Sequence, residues 1–482
     1  MNTYEQTIVK FIYGSSPFIS NNDNKKTEDA FKMVCDITVD DKDNWSRVHI
    51  KTLSAKTIKL YKNNKWDIEF LTHYVNGETC STIKLSQCRI EKIIHHQSGK
   101  AKYYKFDIFP DEVIIKNRKK RDTSETEITF YNNDYQLLSP KLRSTLSPDG
   151  NLTHTKSEPI IVKLNNNEDI KLDIEVGLKY DKAIEINTKQ TLKIKPNDYN
   201  LTIDDVKNNY IDKIEAFNDI LSFINSNKIV CRHWTLQSND TVYTVFRCNI
   251  KKPINDIKEE HLLALPQARK NIENMFHAYL SSPYRQNIRL AINVLNTSNQ
   301  YLESQYLSLF QSFESIILTY KETNNTTLIL CEDEFKPLRR IIENAITKDV
   351  IKDSITRGKI KNKLGELNRT SLKDATQAFL KEHPFYTNDL WPLFKESNKL
   401  GLSEIRNIII HGVIIPSDNL INIAIACEHL KIHLIRLLLG LLGCDHRETI
   451  YSEDNISLNS KINDFTFWSY HRKSLTEAFE TH

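Results

Sequence analysis

Glycine is scarce in this chain, 11 of 482 residues. Loops that cradle phosphates and dinucleotide folds need clustered glycines so that the backbone can approach a phosphate closely. Neither GxGxxG nor GxxxxGKS/T occurs, which excludes a nucleotide-hydrolysing motor of the P-loop kind. The eight cysteines (Cys35, Cys80, Cys88, Cys231, Cys248, Cys331, Cys427 and Cys444) form no CxxC pair. Scattered thiols of this sort fit a reducing compartment, and cytoplasmic localisation is the expectation. A charge surplus is also missing: 66 basic against 62 acidic residues leave +4. That balance excludes a polybasic wrapper of nucleic acid but permits a local basic groove. Long apolar runs are absent as well. The greasiest segment, "LIRLLLGLLG" at 434–443, is interrupted by Arg436 and falls far short of the roughly 20 apolar residues that span a bilayer. "MNTYEQTIVKFIYG" at the amino terminus carries Glu5 where a signal peptide is positive. No membrane association is expected.

What is present divides into two periods. At 482 residues, more than one core is expected. Up to about residue 200, runs such as "SRVHIKTLS", "WDIEFLTHYV", "TIKLSQCRIEKI", "KYYKFDIF", "EPIIVKL" and "IKLDIEVGLKY" alternate apolar and polar residues between Asn, Asp and Lys clusters. They predict a sandwich or curved sheet with one wet face. A helix over 202–224 and a strand pair "VCRHWTL" and "TVYTVFRCNI" complete a β-rich domain, 1–255. "KNRKKRD" (116–122) is a basic loop, read as a solvated turn. From about residue 255 onward the period is helical. In "YLESQYLSLFQSFESIILTY", Leu302, Tyr306, Leu309, Phe310, Phe313, Ile316, Ile317 and Tyr320 make one broad apolar stripe. Further helices are predicted at 265–280, 284–296, 333–346, 348–367, 371–382 and 388–398. The fold class is therefore α+β and multidomain, with an all-α domain over 256–450 and a terminal segment or helix over 451–482.

The stretch "LSEIRNIIIHGVIIP" (402–416) sets Arg406, Asn407 and His411 among isoleucines. Leu402, Ile405, Ile408 and Ile409 form the expected buried face of a helix, Gly412 its stop, and Pro416 to Asp418 the start of the next. That next helix, 418–442, is apolar nearly all round and leaves only a stripe of Asn422, His429, His433 and Arg436, expected to face a crevice or a partner. On an ideal helix, positions 406 and 411 lie roughly 140° apart. The two side chains converge if the arginine reaches around, if His411 sits in a distorted last turn, or if two copies meet across a two-fold axis. Such a cleft suits a phosphodiester. An imidazole can take the proton of a ribose 2′-hydroxyl, and a guanidinium can hold the phosphate and the charge building on it. The plain structural alternative is a helix end at which Arg406 bridges to an acid and His411 bonds terminal carbonyls.

Arg-Asn-x-x-x-His-Gly between two helices, late in a helical region, resembles the RxxxxH signature of HEPN domains. The long early helix with Glu314 and the Leu-rich last helix resemble the ApeA-like group, which joins a β-rich domain to a helical one. The resemblance covers roughly 265–445; for the β-rich half it rests on domain order alone. It implies a homodimeric, metal-independent ribonuclease of bacterial antiviral defence. Arg406, Asn407 and His411 are then catalytic and Glu314 supporting. The expected partners are RNA, with transfer RNA among the candidates, a second copy, and a phage-derived trigger protein; no cofactor is expected. A Tyr two residues after the His, found in some toxins of this kind, is here Val413, which puts control through that Tyr in doubt.

Several further residues carry paired readings. Glu314 is either an orienter of Arg406 or a solvated acid. Arg285 and Arg289, one turn apart, are either phosphate contacts or a solvated face; His433 and Arg436 join them as candidate RNA contacts. Cys427, His429, His433, Cys444 and His446 have zinc-like spacing, but Cys427 lies on the apolar stripe, and no metal is assigned. Arg89 with His95 or His96 repeats the signature in a strand-like segment and is read as coincidence. The rival to the enzyme is a non-catalytic module binding RNA or nucleotides through the same cleft; a purely dimer-building role is the third reading.

Overall fold

The computed structural model describes residues 12–13, 39–40, 47–52, 66–73, 80–98, 101–118, 125–132, 138, 142–146, 152–165, 168–180, 184–238, 240–248, 250, 261–297, 301–457 and 465–480. The chain forms two compact units, 1–259 and 260–482.

In the first unit the strands are β1 Ile12–Tyr13, β2 Val39–Asp40, β3 Arg47–Thr52, β4 Trp66–His73, β5 Cys80–Ser98, β6 Ala101–Phe109 and β7 Glu112–Arg118. They continue as β8 Glu127–Asn132, β9 Leu142–Leu146, β10 Leu152–Lys156, β11 Ile160–Asn165, β12 Glu168–Tyr180 and β13 Ile184–Ile194. Helices α1 Ile203–Asn209 and α2 Ile211–Asn225 precede β14 Cys231–Ser238 and β15 Thr241–Arg247. Among the described residues thirteen strands join in one antiparallel network. Its main path runs β11-β12-β13-β8-β14-β15-β7-β5-β6-β3-β2, β4 pairs with β5, β1 pairs with β4, and β9 and β10 form a separate hairpin. The long β5 serves two ladders. Thr82 to Ser86 pair with β7, and residues from Arg89 onward pair with β6. Between them Gln87 takes φ 54°, the left-handed turn that redirects the strand. In β11 the alternation Ile160, Val162, Leu164 inward and Ile161, Lys163 outward gives one buried and one wet face. The expected helix over 202–224 breaks at Tyr210 into two, the first opened by a Thr202–Asp205 capping box. Polar bonds tie both helices to the strands: Lys207 to Glu112 at 2.5 Å, and Arg247 to Glu215 at 2.5 Å. The basic loop "KNRKKRD" begins in β7; its residues 119–122 lie outside the described residues.

The second unit is helical: α3 Leu265–Ser281, α4 Arg285–Leu295, α5 Leu302–Thr323, α6 Glu332–Ala345, α7 Ser354–Lys363, α8 Leu372–Glu382, α9 Leu402–Ile410, α10 Leu420–Leu441, α11 Glu453–Ser457 and α12 Phe465–Glu480. Helix α5 packs against α4, α8, α9 and α10. Its stripe from Tyr306 to Tyr320 is buried as its spacing predicts, each large side chain contributing roughly 1.5–3 kcal/mol relative to exposure. Two expectations are corrected. Residues 388–398 are not a helix but an irregular segment with Ser397 and Asn398 at φ 47° and 60°. Pro392 cannot donate within a helix there, and Trp391 is fixed by tertiary bonds instead. The helix expected over 348–367 is shortened: it starts at Ser354, where Asp353 caps the backbone amides of Ile355 and Thr356. Among the described residues no helix is long and apolar enough to cross a membrane.

Candidate functional site

Helix α9 is held firmly at its first turn. Glu404 reaches back to accept from the Gly401 amide at 2.9 Å, and Leu402 and Ile405 are fully buried. The Tyr306 hydroxyl donates to the Leu402 carbonyl at 2.7 Å in the core. The amides of Leu402 and Ser403 donate to the carbonyls of Pro392 and Leu393 at 3.0 and 2.8 Å. Position 401 must be glycine on steric grounds: a Cβ there would stand 2.3 Å from the carbonyl carbon of Phe394. The other end of α9 closes as the sequence predicts. Gly412 has φ +70°, its amide donates to Ile409 and that of Val413 to Ile408, at 3.1 and 3.2 Å. This is the paired bond pattern of a Schellman C-cap.

Arg406 and His411 lie in different surroundings. Arg406 donates from Nη2 to Glu314 Oε2 at 3.1 Å and from Nη1 to Asn407 Oδ1 at 3.0 Å. Its guanidinium carbon sits 5.8 Å from the centroid of the Phe310 ring, within cation–π range. It forms part of the wall of a pocket of about 470 Å³, lined also by Phe310, Glu314, Lys373, Phe394 and Lys395. His411 caps the helix, is exposed, and does not line that pocket. The chain around it is unusually greasy for a surface: Ile410, Val413, Ile414, Leu420 and Ile421 are 41–88% exposed. Ile408 and Ile409, expected to be buried, are only partly covered.

The polar stripe of α10 faces inward, which corrects the expectation of a crevice or an RNA contact. His433 and Arg436 are 1% and 0% exposed. Arg436 grips Asp389 through Nη1 and Nη2, both at 2.7 Å, and donates to the carbonyls of Tyr386 and Tyr451 at 2.9 and 3.1 Å. His429 Nδ1 accepts from the Trp391 amide at 3.2 Å, while His433 Nε2 donates to the Trp391 carbonyl at 2.9 Å. Two imidazoles thus hold the backbone of one residue, Trp391, at its amide and at its carbonyl. A carbonyl only accepts, so His433 carries its proton on Nε2; burial pushes its pKa down to about 4. From α12, Arg472 Nε donates to the Leu400 carbonyl at 2.8 Å, and the Leu400 amide donates to Thr476 Oγ1 at 3.1 Å. All these groups fasten the irregular segment that delivers Phe394 and Lys395 to the pocket and leads into α9.

The remaining candidates stand apart. Arg285 and Arg289 are half-buried on α4 and line no part of the pocket; Arg285 lies over the Tyr279 ring at 5.6 Å. Cys427 is buried and His446 bonds Glu453 at 3.0 Å. Among the described residues no group of three His, Cys, Asp or Glu is arranged to hold a metal. Arg89, His95 and His96 fall within strand β5. Sequence reasoning missed Asp389, Trp391, Lys373 and Lys395. Only Asp389 left a signal, since an arginine on an apolar helix requires a carboxylate somewhere. No family model, curated protein or solved structure matches the chain.

Proposed function

We propose that the chain is a metal-independent RNA endonuclease of the HEPN type, acting in bacterial anti-phage defence. In this reading His411 takes the proton of a ribose 2′-hydroxyl, and Arg406 holds the attacked phosphate and the charge that develops on it. Glu314 positions Arg406, and Asn407 fixes its other nitrogen. Internal attack by the 2′-oxygen needs a base and a charge stabiliser, and neither role requires a metal. The 140° offset between the two side chains is resolved by a homodimer in which the exposed ends of two α9 helices face one another. The β-rich unit would hold the nuclease in check until a phage-derived trigger arrives.

The observation that carries this reading is an exposed imidazole at a glycine-capped helix end, ringed by uncovered apolar side chains, one and a half turns from an arginine braced by a carboxylate. Total RNA incubated with purified protein in EDTA tests it. Fragments ending in cyclic phosphate are expected from the native chain and not from His411→Ala; equal activity of the two would end the reading. One observation favours the non-cleaving rival: His411 is absent from the pocket beside Arg406. Retention of RNA without cleavage by the native chain would decide for the binder.

A further inference from the structure

The pocket beside Arg406 has a composition of its own. Half-buried Phe394 supplies aromatic surface, Phe310 lies buried beneath the Arg406 guanidinium, and Lys373 and Lys395 stand exposed at its edge. Neither lysine makes an ion pair among the described residues. The two carboxylates of the lining are already engaged: Glu314 with Arg406, and Glu404 with the Gly401 amide and the Ser403 hydroxyl at 2.9 and 2.8 Å. Cationic donors therefore remain unspent while the acids do not. The volume, about 470 Å³, is within the roughly 300–1,000 Å³ of small-ligand sites. An aromatic face beside free cations is the combination that takes a base and its phosphate from single-stranded nucleic acid.

We propose that this pocket is a nucleotide subsite, in which Phe394 receives the base of a bound RNA residue and Lys373 and Lys395 hold its phosphate. The inference rests on the RNA reading above but not on cleavage. It also gives a use to the tethering of the 384–400 segment, since Phe394 and Lys395 are placed by the bonds to Trp391 and Leu400.

The test uses the full chain carrying His411→Ala and a labelled single-stranded RNA oligomer, with AMP, GMP, CMP, UMP and inorganic phosphate as competitors. Nucleoside monophosphates are expected to compete, inorganic phosphate much less so. The Lys373→Ala/Lys395→Ala pair should weaken oligomer binding about tenfold or more, with the salt slope falling by about 0.7 per lost phosphate contact. Both lysines are exposed, so an unchanged melting temperature is expected and confirms folding. Unaltered affinity and slope in that double variant overturn the subsite, as does failure of every monophosphate to compete. If the native chain cuts no RNA yet monophosphates bind in a lysine-dependent way, the subsite stands and the endonuclease falls. If RNA is cut with the same KM after both lysines are removed, the subsite falls alone.

Discussion

Two arginines, each on an isoleucine- and leucine-rich helix and each facing a carboxylate, mark two regions built for different purposes. Arg436 is wholly buried and makes four hydrogen bonds, two to Asp389 and two to carbonyls. Arg406 has a side chain 32% exposed and makes two, to Glu314 and Asn407. A guanidinium has five N–H donors, so Arg406 keeps donors in reserve and Arg436 has almost none. The first region is a fastener. The second is open to an incoming anion. The same asymmetry runs along α9, whose first turn is pinned from four directions while its last turn ends among uncovered apolar side chains.

Breaking the fastener should have the largest effect. Asp389→Ala leaves Arg436 charged and unpaired in the core and is expected to cost about 3–5 kcal/mol, read by denaturant unfolding. Acid should come next. His433 is neutral in the fold with its pKa near 4, against about 6.5 unfolded. The unfolded chain thus binds a proton that the folded chain refuses. The stability held above pH 6.5 is lost as pH falls towards 4, up to about 3 kcal/mol. His433→Gln, whose amide can still donate to Trp391, should flatten that part of the pH profile. Tyr306→Phe removes the donor to the Leu402 carbonyl and should cost about 1–3 kcal/mol, with RNA cleavage slowed because α9 loosens. At the open end the effect on folding should nearly vanish. Ile414→Asp, at a side chain 88% exposed, should alter stability by less than about 0.5 kcal/mol yet abolish self-association in sedimentation. A native chain that stays monomeric, or a variant that still self-associates, would show that this face is not a dimer contact.

Both halves were legible where period, caps and turns agree. The α5 stripe, the Gly412 stop and the strand pair before residue 250 follow from apolar spacing and turn chemistry. What escaped was tertiary. Residues 388–398 carry enough apolar character to suggest a helix, but Trp391 is held by two imidazoles from a helix forty residues away, and no local pattern encodes that. The stripe on α10 was visible, but its direction was not: polar groups on a greasy helix can face a crevice or an internal strap. The pocket was invisible for the same reason, since Phe310, Lys373 and Lys395 come from three separate segments.

In the proposed reaction, the open end of α9 would cut RNA by attack of the neighbouring 2′-oxygen. The most direct measurement compares a substrate oligomer with its counterpart carrying a single 2′-deoxy sugar at the cleaved position, in EDTA. The deoxy linkage should survive while the oligomer remains bound; cleavage of both at equal rates would rule out attack by the 2′-oxygen.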